Sequence, residues 1–157
     1  MRLVLLVVTV CVACTVSASQ SMRGSAADST SPTGNFVTRH ADVPDVVVTS
    51  IEGREMHGHL GVKPLMKGEH MLVLELHYDA GAKAPIHTHS HESVVYVVSG
   101  RVKTWVGDAV YVLGPGDVAR HPAGVPHTVE ALVQSTVLEV KSPAPDLTQL
   151  IGTPRAQ

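Results

Sequence analysis

From residue 71 to residue 141 the chain is a succession of short β-branched and apolar runs, each cut off by glycine, proline or aspartate. MLVLELHYD (71–79), SVVYVVS (93–99), RVKTWV (101–106), AVYVL (109–113) and STVLEVK (135–141) all read as strands, and VVVTSI (46–51) precedes them. Valine, isoleucine and tyrosine fit a pleated, half-buried surface, and β-branched side chains lose freedom in a helix. The breaks have their own chemistry. Gly107-Asp108 is a two-residue hairpin loop. Gly114-Pro115-Gly116-Asp117 places proline and glycine at the two central positions of a type II turn. Pro122, Gly124 and Pro126 bend the chain again. Strands recurring about every 8–12 residues predict a sandwich or a small barrel. The only helical expectation is one turn at 147–151.

At 157 residues the chain has room for one ordinary domain. Hydrophobic residues make up 44% and aromatic residues only 3%, so the core must be built from valine, leucine and alanine. The net charge is −2, and no basic run occurs. That excludes a nucleic-acid or anionic-membrane surface as the working face. No phosphate-binding glycine loop and no repeat is present.

The N-terminus has a different character. Met1-Arg2 is followed by fourteen uncharged residues, LVLLVVTVCVACTV (3–16). This is short of the roughly 20 apolar residues that span a bilayer, so no membrane span is expected, but it fits a secretory signal. Val16-Ser17-Ala18 supplies small residues for cleavage, giving a signal peptide at 1–18. Both cysteines, Cys11 and Cys14, lie inside it. A secreted or periplasmic location follows, by cleavage after Ala18 or as a protein lipid-anchored through Cys14. Residues 19–41 begin as a small, polar, apolar-poor stretch and read as a disordered tether.

Ten histidines are the outlying number. His87, His89 and His91 alternate, and alternate residues of a strand share a face with Cα atoms roughly 6.6 Å apart. Two imidazoles so placed can lean onto one ion at about 2.0–2.1 Å. His127 follows a turn stiffened by Pro122 and Pro126, which fixes its direction. His57, His59, His70, His77 and His121 read as ordinary surface or barrel residues. Arg54 and Arg120 are the candidate cations for a substrate.

These residues resemble the cupins. Gly81, His87, His89 and Gly100 fit the first cupin motif, and Gly116, Pro122, Gly124 and His127 fit the second at every spacing. The resemblance spans about 55–143 and is to small single-domain cupins of the type-2 kind. It implies an all-β, double-stranded β-helix, a jelly-roll barrel, over 42–147, with a C-terminal tail at 148–157. It also implies a metal inside the barrel and pairing as a homodimer. Two positions depart from the pattern. Ser93 stands where the first motif has glutamate, and Ala131 where the second has asparagine. Glu92 lies one place early, and strict alternation points it away from the metal unless a bulge turns it in. The expected ligands are therefore His87, His89 and His127, with Ser93 through a water or Glu92 as a fourth candidate. His91 is expected beside the ligands or at the rim, where a substrate would meet it. The ion is divalent: Zn, Fe, Ni, Mn or Cu.

The stretches HTHSHESVVYVVSG and VPHTVEAL and the tail SPAPD are most similar to cupins of pectin and alginate degradation. That resemblance implies a small anionic, uronate-type ligand. Two other classes share the fold: three-histidine Fe(II) dioxygenases, and non-catalytic metal- or sugar-binding cupins. Fold alone does not choose among them.

Overall fold

In the computed structural model the described residues are 36–151. Val46–Val47 forms β1, Ser50–Ile51 β2, Arg54–Glu55 β3, Leu60–Lys67 β4 and Leu72–Tyr78 β5. Glu92–Ser99 forms β6, Val102–Val106 β7, Ala109–Leu113 β8, Val118–His121 β9, His127–Ala131 β10 and Ser135–Ser142 β11. A 3₁₀ turn at His40–Asp42 precedes them and a single helix, α1 (Leu147–Ile151), follows. The expected signal peptide and residues 19–35 of the expected tether lie outside the described residues. Among the described residues no helix is long and apolar enough to cross a membrane.

One sheet runs in the order β1-β4-β5-β11-β6-β9, and a second in the order β10-β7-β8. The segment 82–87 extends the second sheet along the free edge of β10. Ala84 N–H donates to Val129 O and Ala131 N–H to Ala82 O, both at 2.9 Å. β2 and β3 form a separate hairpin. All pairings are antiparallel, and the two sheets close on one interior, a jelly roll. Alternation fills it: Leu72, Leu74, Leu76 and Tyr78 from β5, Val95 and Val97 from β6, and Val137 from β11 are all buried.

The turns form as their residues require. Val106 pairs with Ala109 around Gly107, whose φ is +58°. Asp117 N–H donates to Gly114 O at 3.0 Å, with Gly116 at φ +92°. The run 46–51 is split. Val48 is buried at the break and donates to Leu60 O at 2.8 Å, so the chain changes sheets within six residues. β4, β9 and β10 are strands that the hydrophobic runs did not mark. In β4, Gly61 and Pro64 hide the pattern. The register shifts between Pro64 and Met66, a bulge of the kind that accommodates a proline in a sheet. α1 stands where one helical turn is expected, and its Leu150 is buried against the core.

The first strand is clamped to the outside of the large sheet by charge. His77 on β5 bonds Asp45 through Nδ1 and Glu75 through Nε2, both at 2.8 Å, and His40 Nε2 reaches the same Glu75 oxygen at 2.7 Å. Burial opposes the imidazolium of His77, but the bonds and charges of Asp45 and Glu75 override it and hold its pKa above the usual value. Burial also opposes the charge on Glu75, and the two histidines bring its pKa down. The contribution of His77 is thus full below the ordinary histidine pKa, about 6.5, and is lost as pH rises through its raised value. That of Glu75 is full above about 4.5 and is lost as pH falls through its lowered value. Hydrogen-exchange protection of Val46 and Val47 should therefore fall as pH rises from about 6 to 9. In His77→Gln most of this pH dependence should be lost, because the imidazole that joins Asp45 to Glu75 is gone.

Candidate metal centre

Backbone pairing assembles the site. His87 N–H donates to His127 O at 3.1 Å, and His127 N–H donates back to His87 O at 3.0 Å. In such a doubly bonded antiparallel pair the two side chains stand on one face, with Cα atoms about 5.5 Å apart. His89, two residues on, shares that face. The Pro122–Pro126 turn is tied in from both sides, by Gly124 N–H on His89 O at 2.9 Å and Gly107 N–H on Pro126 O at 2.8 Å.

The ring orientations are fixed as tightly. Nδ1 of His87 donates to Pro85 O at 2.8 Å, Nδ1 of His89 to His91 O at 2.7 Å, and Nδ1 of His127 to Val125 O at 2.8 Å. Each bond commits Nδ1 as donor, so each Nε2 carries the lone pair. The ligand atoms of the three residues lie within 4.8 Å of one another. Nε2 of His89 is buried with no hydrogen-bond partner among the described residues. A buried acceptor left so is costly unless something fills the space before it, and a divalent cation fits. Burial lowers the pKa of His87 and of His127, and burial with the charge of Lys141 brings His89 down to about 4. All three are therefore neutral near pH 7, the form that ligates.

Two further histidines back this trio. His91 is buried and stacks on His89, with ring centroids 3.7 Å apart and planes within 11°. Its carbonyl orients His89, and burial takes its own pKa to about 3. His121 is 1% exposed and stacks on His127 at 4.4 Å. Thr104 Oγ1 donates to Thr128 O at 3.0 Å, so it accepts from Nε2–H of His121, also at 3.0 Å. His121, an ordinary residue by sequence, is thus packed directly behind a ligand.

The other candidates lie apart. Glu92 is turned to the outer face, where its carboxylate accepts from Arg120 at 3.0 Å; the two side chains are 45% and 65% exposed. Arg54 is exposed and donates to Ile86 O at 2.6 Å, next to His87. Ser93 is fully buried, with its hydroxyl beside the Glu139 carboxylate. In place of the two arginines, the interior holds Lys141 and Glu139, joined at 2.7 Å with side chains 6% and 11% exposed. They line the same cavity as His87, His121 and His127. Nothing in STVLEVK signals this, because the more polar set of that strand is the one that faces inward. A second depression lies under 143–145 and borders His89 and His91.

Residues 74–140 match the family described as Cupin domain. No curated protein matches the chain. An RmlC-like cupin from Shewanella frigidimarina superposes with a TM-score of 0.63 at 22% identity, covering 72% of this chain and 95% of that one. KdgF from Halomonas sp. superposes with a TM-score of 0.54 at 27% identity, covering 55% and 82%. A predicted oxalate decarboxylase from Thermotoga maritima superposes with a TM-score of 0.62 at 16% identity, covering 69% and 99%. Residues 74–140 thus match a cupin domain, and the barrel has the jelly-roll fold of the RmlC-like cupin structure.

Substituting any one ligand leaves two imidazoles. His87→Ala, His89→Ala and His127→Ala should each weaken zinc uptake by more than roughly 100-fold, beyond the range that outer partners span. Metal content by mass spectrometry reads the loss, and an unchanged far-ultraviolet strand spectrum reads the intact fold. His121→Ala should cost roughly 10-fold, the lower end of that range, by loosening His127. Glu92→Gln should change nothing.

Proposed function

We propose that this protein is an exported cupin that holds a divalent metal on His87, His89 and His127 and binds or transforms a small anionic, sugar-derived ligand of the uronate type. The observation that carries the reading is the commitment of all three Nδ1–H groups to backbone carbonyls, which leaves three neutral Nε2 atoms for one ion. When bound, the ion supplies a Lewis acid that polarises a ligand oxygen and acidifies water. Three imidazoles leave its full charge uncompensated, which draws anions toward the barrel. The apolar walls beyond the histidines exclude water from the rest of the ligand, and His91 and His121 keep the ligand rings from turning. The uronate assignment rests on the likeness of HTHSHESVVYVVSG and VPHTVEAL to cupins of pectin and alginate degradation, and on the similarity to KdgF. Export rests on Arg2 and the uncharged run 3–16.

Pairing as a homodimer belongs to the same reading. Its support is an apolar row on the outer face of β6 and β9: Val94, Tyr96, Val98 and Val118 are 38–57% exposed. Tyr96→Lys should yield a monomer in sedimentation.

The decisive measurement is metal analysis of the purified protein together with turnover. Zinc or nickel with loss of the double-bond absorbance of an unsaturated uronate is the expected result. Iron with oxygen uptake would replace the reading by a three-histidine dioxygenase, for which the outward turn of Glu92 is the favouring observation. Metal uptake with neither reaction would leave a binding protein.

A further inference from the structure

The barrel interior changes character along its length. One register row across the large sheet runs Leu72–Lys141–Ser93–His121, through β5, β11, β6 and β9. All four residues are buried. The next inward row, Leu74–Glu139–Val95, has one charge. The row beyond, Leu76–Val137–Val97, has none. Charged side chains and imidazoles are thus confined to the end of the interior that holds the metal-site histidines.

Lys141 is unusual there. Its ammonium has three donors, and one meets Glu139 Oε1 at 2.7 Å. Among the described residues nothing meets the other two. The hydroxyl of Ser93, its cross-strand partner, is buried beside the Glu139 carboxylate and helps hold it ionised. A buried ion pair is a weak way to stabilise a core, since an apolar pair of the same size serves as well or better. Unmet donors on a buried cation that faces a cavity point to a ligand instead.

We propose that Lys141 forms an anion subsite beside the three histidines, which takes the carboxylate of a small ligand while Glu139 serves as the internal counter-ion. This rests on the metal-binding reading above and names the group that would orient its ligand. A carboxylate offers two acceptor oxygens, enough for the two free ammonium protons. Glu139 disfavours a doubly charged anion such as phosphate, because it already sits on the same cation. Arg54 and Arg120, both outside the cavity, take no part.

The test is an NMR titration of the full chain, stripped of metal and again loaded with zinc, with zinc uptake measured on the same samples. The probes are acetate, its neutral shape-mate acetamide, and inorganic phosphate. Acetate should shift the amides of Ser93 and Lys141 with a dissociation constant at least tenfold below that of acetamide. Lys141→Met should abolish this preference. Glu139→Gln, which frees the ammonium, should tighten acetate several-fold. If Lys141→Met does not fold, the double variant Glu139→Gln/Lys141→Met, which buries no unpaired charge, takes its place. Retention of the acetate preference without Lys141 would overturn the subsite, as would a Glu139→Gln protein that binds acetate more weakly. Phosphate bound in preference to acetate would overturn the carboxylate assignment. A wild-type protein that prefers acetate yet takes up no zinc would overturn the metal reading and leave the subsite standing. One that takes up zinc and shows no preference would overturn the subsite alone.

Discussion

His87 and His127 are remote in the chain, and their two reciprocal backbone hydrogen bonds are what make a site of them. That pairing sets the register between the segment 82–87 and β10. Because side chains alternate with period two, a slip of one residue would send one imidazole to the other face. The loop after His89 and the proline turn before His127 are bonded to one another and to Gly107, so the geometry is backed by backbone on both sides. Backbone carbonyls two residues away then choose the tautomer of each ligand. The protein spends no side chain on that task; the carbonyls of Pro85, His91 and Val125 perform it.

The same pairing logic explains the interior charge. Breaking one member of a buried ion pair typically costs about 3–5 kcal/mol, yet the intact pair adds little over an apolar one. Lys141 holds the Glu139 carboxylate below its ordinary pKa although burial pushes the other way. Lys141 also helps keep His89 and His91 neutral. At the charged end of the barrel one lysine thus holds a carboxylate ionised and helps keep two imidazoles neutral. The opposite end carries no charge: Leu76, Val97 and Val137 fill it, with Tyr78 and Ser135 at its edge.

Glycine 100 shows how closely the scaffold is drawn. With φ at +85° it lies against the Ser135 hydroxyl and the Gln134 carbonyl, and a Cβ there would overlap both. Only glycine lets β6 turn into β7 while Ser135 Oγ accepts from Arg101 N–H at 3.0 Å.

Much was legible in the sequence because it is local. Five of the strands follow from β-branched runs, the two turns follow from Gly107 and from Pro115-Gly116, and His87, His89 and His127 stand at motif spacing. Strict alternation also pointed Glu92 outward, where it pairs with Arg120. What the sequence could not supply depends on which face of a strand meets the interior. In STVLEVK, Thr136, Leu138 and Val140 make the more apolar set, yet Ser135, Val137, Glu139 and Lys141 are the buried one. Only the register against β5 and β6 decides that, and with it the presence of a buried lysine. β4 was hidden by Gly61 and Pro64 until a bulge absorbed the proline. His121 gave no sign of its role, since stacking on His127 requires β9 and β10 to be brought together. Spacing along the chain determined which imidazoles can share an ion; the closure of two sheets decided what surrounds them, because contacts between remote strands are set by pairing register and not by any local pattern.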